Sequence, residues 1–324
     1  MIAEGPYFDE LTVGQVFDSA PGLTLTSGLA HAHRSIIGER LALPLDDGLS
    51  ASVTGEPALA SPALVWDVAI GQSTTATHHV KANLFYRGLV LRRAPHLGDT
   101  LRSRTEVVAL RQNRVREGRR PTGLAALRIT TADQNGEPVL DFWRCAMLPL
   151  RDPAARTGHA DDLDAVGAEV NGQLTGGTGG WDLAPLRGRG TASAEPAEGQ
   201  VIEVGGGDVV SSAPELARLT LNVAEVHHDA AAAGGTRLVY GGHTIGLALA
   251  QATRALPGMA TVTGWHSCDH LGPVFEGDTL RSTITVERRE PARNGTLAHL
   301  RSRVTADGEE QRDVLDWRFA ALLP

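Results

Sequence analysis

The sequence predicts an α+β protein written twice in one chain, each copy an antiparallel sheet wrapped around a buried central helix. Three observations lead there. Residues 98–103 and 277–282 both read Gly-Asp-Thr-Leu-Arg-Ser, and the agreement extends on both sides. Gly14-Gln15-Val16-Phe17 answers Gly199-Gln200-Val201-Ile202, and Thr131-Ala132-Asp133 answers Thr305-Ala306-Asp307. Val139-Leu140-Asp141 with Trp143-Arg144 answers Val314-Leu315-Asp316-Trp317-Arg318. The offset drifts only from 185 through 179 to 174, so the order is collinear and the repeating unit is a whole domain. Each copy also carries an apolar stretch, residues 63–70 and 244–256, the second rich in Ala and Leu, suited to a helix buried on most faces. The rest of each copy alternates strand-like runs with polar turns.

In chain order, each copy opens with a short extended segment and a stretch of helical period. In the second copy Leu216, Leu219 and Val223 fall at i, i+3 and i+7, after Ser211, Ser212 and Pro214, which predicts one helix carrying all three. After the central helix, strands are predicted at 80–86, 100–110, 124–131 and 139–148, then at 280–287, 299–305 and 315–322. Asn135-Gly136 and Asp307-Gly308 stand where hairpin turns are required. Residues 151–196, with Gly176-Gly177-Thr178-Gly179-Gly180 at the centre, read as a linker or long surface connection. The domains are therefore 1–150, the linker 151–196, and 197–324. This element order fits a hotdog fold, and a tandem pair would be a double hotdog. A single hotdog exposes a sheet edge that normally pairs. The two halves are thus expected to share a continuous or closely abutted sheet, with the linker outside it; a homodimer is compatible with the sequence.

Composition narrows the function. A chain of 324 residues with 42% hydrophobic and 21% charged residues has room for two cores. The net charge of −8 argues against nucleic acid as a partner, although local arginine clusters can still receive an anionic ligand. Cys145 and Cys268 form no framework and suit a reducing cytoplasm. Met1-Ile2-Ala3-Glu4-Gly5-Pro6 lacks the basic start of a signal peptide, and Gln251 and Arg254 interrupt the most apolar run. A cytoplasmic protein with no membrane partner is the expectation.

A duplicated domain lets one copy keep chemistry that the other loses. Residues 219–229 of the second copy read LTLNVAEVHHD, and the matching residues 36–46 of the first read IIGERLALPLD. Asn222 stands opposite Glu39, and His227 opposite Pro44. The second copy then enters its central helix through Tyr240-Gly241-Gly242-His243, the first through Ser61-Pro62-Ala63. An imidazole titrates near neutrality, so His227 can take a proton from water and return one to carbon. An amide such as Asn222 can hold that water. Glycines opening a buried helix leave backbone N–H groups free for a developing oxyanion. The chemistry suited to this set is addition of water across an activated double bond.

These residues resemble the MaoC-like, or R-specific, enoyl-CoA hydratases of the hotdog superfamily. The family motif, Asp-x-Asn-Pro-x-His-x-Asp followed by His-Gly at the helix start, matches here at His227, Asp229 and Gly242, while Asn222 and Gly241 depart from it. Arg237-Leu238-Val239-Tyr240-Gly241-Gly242-His243 looks like the helix start of the mesaconyl-CoA hydratase (β-methylmalyl-CoA dehydratase) subfamily, which also places Asn five residues before the His. Residues 80–86, 98–101 and 106–110 resemble its N-terminal half. The resemblance implies a double hotdog acting on an α,β-unsaturated acyl-CoA, with mesaconyl-CoA as the leading substrate. His227, Asn222 and the Gly242 amide would be catalytic, with Asp229, Tyr240, Gly241 and His243 around the substrate. No cofactor beyond the substrate's own CoA is implied.

Other readings stay beside this one. Another 3-hydroxyacyl-CoA could be the substrate. A hotdog thioesterase would need a carboxylate to aim water, for which Glu225 or Asp229 is available. A non-catalytic acyl-CoA-binding module would have no need of His227. His243, His266, Asp269 and His270 lack the compact paired spacing of a zinc site, so no metal is expected. His31-x-His33 and His78-His79 read as surface pairs without a role. Asp99 and Asp278 would cap turns before strands, while Arg102 or Arg281 would face solvent or a CoA phosphate. Trp143 and Trp317 would be equivalent core or interface aromatics.

Overall fold

The computed structural model describes residues 4–167, 174, 177–187, 196–308 and 310–324. Met1, Ile2, Ala3 and Gly176, which entered the sequence reading, lie outside them. The first half contributes strands β1 (Val16–Phe17) and β2 (Leu23–Thr24), helices α1 (Ser27–Ile37), α2 (Asp47–Thr54) and α3 (Pro62–Gln72), then β3 (Ala82–Leu91), β4 (Thr100–Gln112), β5 (Thr122–Ala132) and β6 (Pro138–Pro149). The second contributes β7 (Val201–Glu203), β8 (Asp208–Val209), α4 (Ala213–Leu219), α5 (Gly241–Ala255), β9 (Thr261–His270), β10 (Thr279–Ala292), β11 (Gly295–Ala306) and β12 (Arg312–Leu323). The two apolar stretches are the central helices: every residue of α3 is buried, as is α5 from Gly242 to Thr253.

The strands run β1-β4-β5-β6-β3-β9-β12-β11-β10-β7, antiparallel throughout, with β2 added to β4 and β8 to β10. The seam is β3 against β9, where Tyr86 pairs with Cys268. Joining the halves there removes the inner edge each would otherwise expose. Each half wraps its sheet around its own helix, so the fold is an α+β double hotdog.

Repeated contacts show how closely the halves correspond. Gln72 and Gln251 each donate Nε2–H to a strand carbonyl, Leu101 and Leu280, at 2.9 Å. The turn that follows α3, and α5 itself, each tie down the other half's loop: Val223 N–H donates to Thr74 Oγ1 at 2.9 Å, and Arg40 N–H to Thr253 Oγ1 at 3.2 Å. Asp99 and Asp278 accept backbone N–H bonds from His96 and Phe275, closing equivalent turns before β4 and β10.

Several expectations are corrected. Helix α4 stops at Leu219, because Leu221 turns left-handed (φ 61°), and Val223 lies beyond the helix at 43% exposure. Strand β9 was not anticipated. Trp143 and Trp317 are not equivalent: the guanidinium of Arg128 lies over Trp143, which is only partly buried, while Trp317 is fully buried in the core. The pairings Arg144 with Leu127 and Tyr86, and Phe319 with Leu300 and Trp265, set Phe142 opposite Trp317 and Arg144 opposite Phe319. A one-residue slip in a strand exchanges its two faces, and the slip was hidden in the shared Trp-Arg pair. The connection 151–196 is not wholly a surface feature either. Leu163 is buried against Ala109 and Leu124, and Trp181, Leu183 and Leu186 pack with Leu43 and Leu49.

Candidate active site

The end of α4 is a turn that aims two side chains. Leu221 N–H donates to the Arg218 carbonyl and Asn222 N–H to the Ala217 carbonyl, the bond pair of a Schellman ending. A leucine in this left-handed position costs about 1–2 kcal/mol, whereas the first half has Gly38 there, at φ 72°. Asn222 comes next and is buried; its Oδ1 accepts the Ala224 N–H at 3.0 Å. Glu39 does the same in the first half, its Oε2 accepting Leu41 N–H at 2.9 Å. Both residues therefore hold a turn, but Asn222 keeps an amide Nδ2 that bonds to nothing among the described residues.

A single turn, Glu225–His227, then carries the imidazole. His227 Nδ1 lies 2.8 Å from the Leu238 carbonyl. A carbonyl only accepts, so Nδ1 carries the proton and Nε2 is left with its lone pair. Burial disfavours the charged form and pulls the His227 pKa down to about 4, so the ring is neutral at physiological pH. The corresponding turn of the first half, Leu43–Leu45, holds only leucine and proline.

Helix α5 starts beside this turn. Its N-cap residue, Tyr240, donates its hydroxyl to the Asp67 carbonyl oxygen and Oδ1 at 3.2 and 3.3 Å. Asp67 also bonds His33 Nε2 at 2.8 Å, and burial raises the Asp67 pKa. His33 is therefore a buried partner of Asp67, not a surface residue. A Cβ on Gly242 would overlap Asp67 Oδ1, and one on Gly241 would sit 2.7 Å from His270 Nε2. Glycine is required at both for the helix end to pack this closely. His243 N–H bonds the Tyr240 carbonyl at 2.9 Å, whereas the N–H groups of Gly241 and Gly242 have no acceptor within the helix.

These elements meet the first half around a cavity of about 350 Å³. Asn222, His227, Tyr240 and Gly241 line it from the second half, and Thr74, Thr77, Tyr86 and Arg144 from the first. No aspartate or glutamate is among the lining residues. Gly242 lies one residue behind the wall. His243 is fully buried and not part of the lining; neither ring nitrogen has a partner, and burial lowers its pKa to about 4. Asp229 is exposed, its carboxylate accepts the local Ala231 N–H at 2.8 Å, and it lines a separate outer pocket with Arg218, Glu225 and His228. Glu225 faces His78 and His79, its carboxylate 3.2 Å from His79 Nδ1. These three are the one group of histidine, cysteine and acidic residues among those described whose ligand atoms converge, within 4.8 Å.

Among the polar lining groups that sequence reasoning did not assign to the site are Arg144, Tyr86 and His270. Arg144 was matched to Arg318 although its counterpart by strand pairing is Phe319, Tyr86 was read only within a strand that resembles the subfamily, and His270 was weighed only for zinc. His270 is partly buried, its inaccessible Nε2 lacks a partner, and desolvation lowers its pKa to about 4.

No protein-family model matches the chain. Among solved structures, Rv0216 of Mycobacterium tuberculosis, described as a conserved hypothetical protein with a double hotdog fold, is 54% identical, with 99% of each chain covered and a TM-score of 0.92. A MaoC domain protein from Chloroflexus aurantiacus, named as a dehydratase, is 26% identical over 99% of this chain and 97% of its own, with a TM-score of 0.88. Two curated relatives carry activities in their names. The β-methylmalyl-CoA dehydratase of Chloroflexus aurantiacus is 28% identical over 99% of this chain and 97% of its own. The mesaconyl-CoA hydratase of Cereibacter sphaeroides is 27% identical over 93% and 89%. No helix among the described residues is long and apolar enough to cross a membrane. The chain belongs to the MaoC-like hotdog family and is related to its mesaconyl-CoA hydratases and β-methylmalyl-CoA dehydratases.

Proposed function

We propose that the cavity hydrates an α,β-unsaturated acyl-CoA and, in reverse, dehydrates the 3-hydroxyacyl-CoA, with mesaconyl-CoA and β-methylmalyl-CoA as the pair. His227 Nε2 takes a proton from water while the hydroxide adds to the β-carbon. The displaced electron pair moves to the thioester oxygen, where the first-turn amides of α5, at Gly241 and Gly242, stabilise the enolate. The imidazolium then returns the proton to the α-carbon. Asn222 Nδ2–H donates to the water oxygen and sets its direction of attack.

The observation that carries this reading is the bond from His227 Nδ1–H to the Leu238 carbonyl, which leaves the Nε2 lone pair available to take a proton. The family and the names of the curated relatives support the reaction class and the acyl group. Thioester hydrolysis is less well served: Glu225 is turned toward His78 and His79, Asp229 closes a local turn, and neither lines the cavity. A panel of enoyl-CoAs tests the proposal, followed by loss of the conjugated enoyl-thioester absorbance with the free thiol monitored in parallel. Loss of absorbance without thiol release is expected; thiol release alone would make the protein a thioesterase.

A further inference from the structure

Arg144 is the residue in which the two halves differ most sharply in the core. By strand register it is the counterpart of Phe319. Phe319 stacks on Trp317 at 3.8 Å between ring centres, and Trp265 packs edge-on to the same Trp317 at 5.6 Å, so that wall is closed by hydrocarbon. The first half has Tyr86 where the second has Trp265, and both Tyr86 and Arg144 line the cavity. Arg144 is 3% exposed. Its Nη2 donates to the Ser73 carbonyl at 3.2 Å and to Thr77 Oγ1 at 2.8 Å, which fixes the plane of the guanidinium. Its Nε is buried without a partner, and no carboxylate pairs with it among the described residues. A buried guanidinium without counter-charge is strongly disfavoured, and arginine's planar fork matches a carboxylate. The two bonds of Nη2 hold the guanidinium in its own half without neutralising it, and the equivalent site of the second half is filled by phenylalanine.

The geometry points to Arg144 as the residue that selects an acyl group bearing its own carboxylate, with Tyr86 beside it in the same wall. The assignment rests on the cavity being the acyl site proposed above and adds what that reading leaves open, namely which residue tells a dicarboxylic monothioester from a plain enoyl-CoA. Arg144 and His227 line the same cavity, so the carboxylate considered is one carried near the reacting bond, on the β-carbon. The carboxylate cancels the buried charge, and an acyl chain ending in methyl leaves it unmatched.

The test uses two inert saturated probes that differ only at this position, succinyl-CoA and butyryl-CoA, titrated calorimetrically into the intact protein. Wild type should bind succinyl-CoA at least about 10-fold and up to roughly 10²-fold more tightly. Arg144→Met should bring the ratio close to one. Arg144→Lys, which keeps charge but not the fork, should fall between. A wild-type ratio near one overturns the assignment whatever the variants do, including any variant that fails to fold. A ratio unchanged in folded Arg144→Met also overturns it. Failure of both probes to bind removes this inference and the acyl-CoA reading together. Preference for succinyl-CoA without any hydration would retain Arg144 and defeat the hydratase, while equal hydration of plain and carboxylated enoyl-CoAs would do the reverse.

Discussion

Gly71, in α3 of the first half, lies so close to the carbonyl of Thr220 in the second that a methyl group on it would overlap the oxygen. Thr220 immediately precedes the turn that sets Asn222, so this contact between halves fixes the height of the site wall. Gly71→Ala should destabilise the protein by about 3 kcal/mol or more, since backbone cannot yield as a side-chain tip can. Turnover per folded molecule should also fall, roughly 10²-fold, as Asn222 is displaced. Gly28→Ala, at a helical position where a Cβ meets nothing closer than 3.9 Å, serves as control and should be neutral or slightly stabilising. Thermal melts with activity per folded molecule check both; a Gly71→Ala protein as stable and active as wild type would show that the contact does not position the site.

In the proposed mechanism Asn222 has two tasks that substitution can separate. Its Oδ1 closes the turn through Ala224 N–H, and its Nδ2 is left for water. Asn222→Ala removes both, so stability should drop by about 1 kcal/mol and turnover should drop as well. Asn222→Asp keeps the turn and supplies an acid next to His227; it should retain stability and measurable turnover, with two coupled ionisations in the pH–rate profile in place of one. Turnover per folded molecule unaffected by Asn222→Ala would reduce the residue to a cap.

The pH response follows from burial. His227, His243 and His270 are each held near 4 inside the protein and titrate near 6.5 when unfolded. Between those values the unfolded chain binds the extra protons, so stability present above pH 6.5 is lost as the pH falls toward 4. Denaturant midpoints across pH 4–7 should show that decline. Over the same range kcat/KM of the still-folded protein should hold to about pH 5, because His227 remains neutral. An acid limb centred near 6.5 would mean that His227 is solvated like an ordinary surface histidine.

Much of this architecture was readable before any coordinates, because duplication exposes what each copy must keep. The central helices announced themselves by their apolar stretches, and Asn222 and His227 by standing opposite a glutamate and a proline in the first copy. Strand β9 did not, because it is the central strand at the seam, where Gly264 lies against the Leu89 backbone and polar side chains interrupt any alternation. Arg144 was hidden for a different reason. Trp143-Arg144 and Trp317-Arg318 look alike, but the pairings set them one residue apart, on opposite faces of the sheet. Only strand pairing could reveal that an arginine points into the core. The His33–Asp67–Tyr240 chain joins residues more than 170 positions apart, and no local pattern brings them together.

The central claim is that His227 Nε2 moves the proton, and the direct measurement is turnover of mesaconyl-CoA by wild type and His227→Gln at neutral pH. Glutamine can still reach the Leu238 carbonyl with its amide but cannot take up a proton. The account predicts a loss of about 10²–10⁴-fold in kcat with the melting temperature nearly unchanged. Wild-type kcat in a folded His227→Gln protein would contradict it.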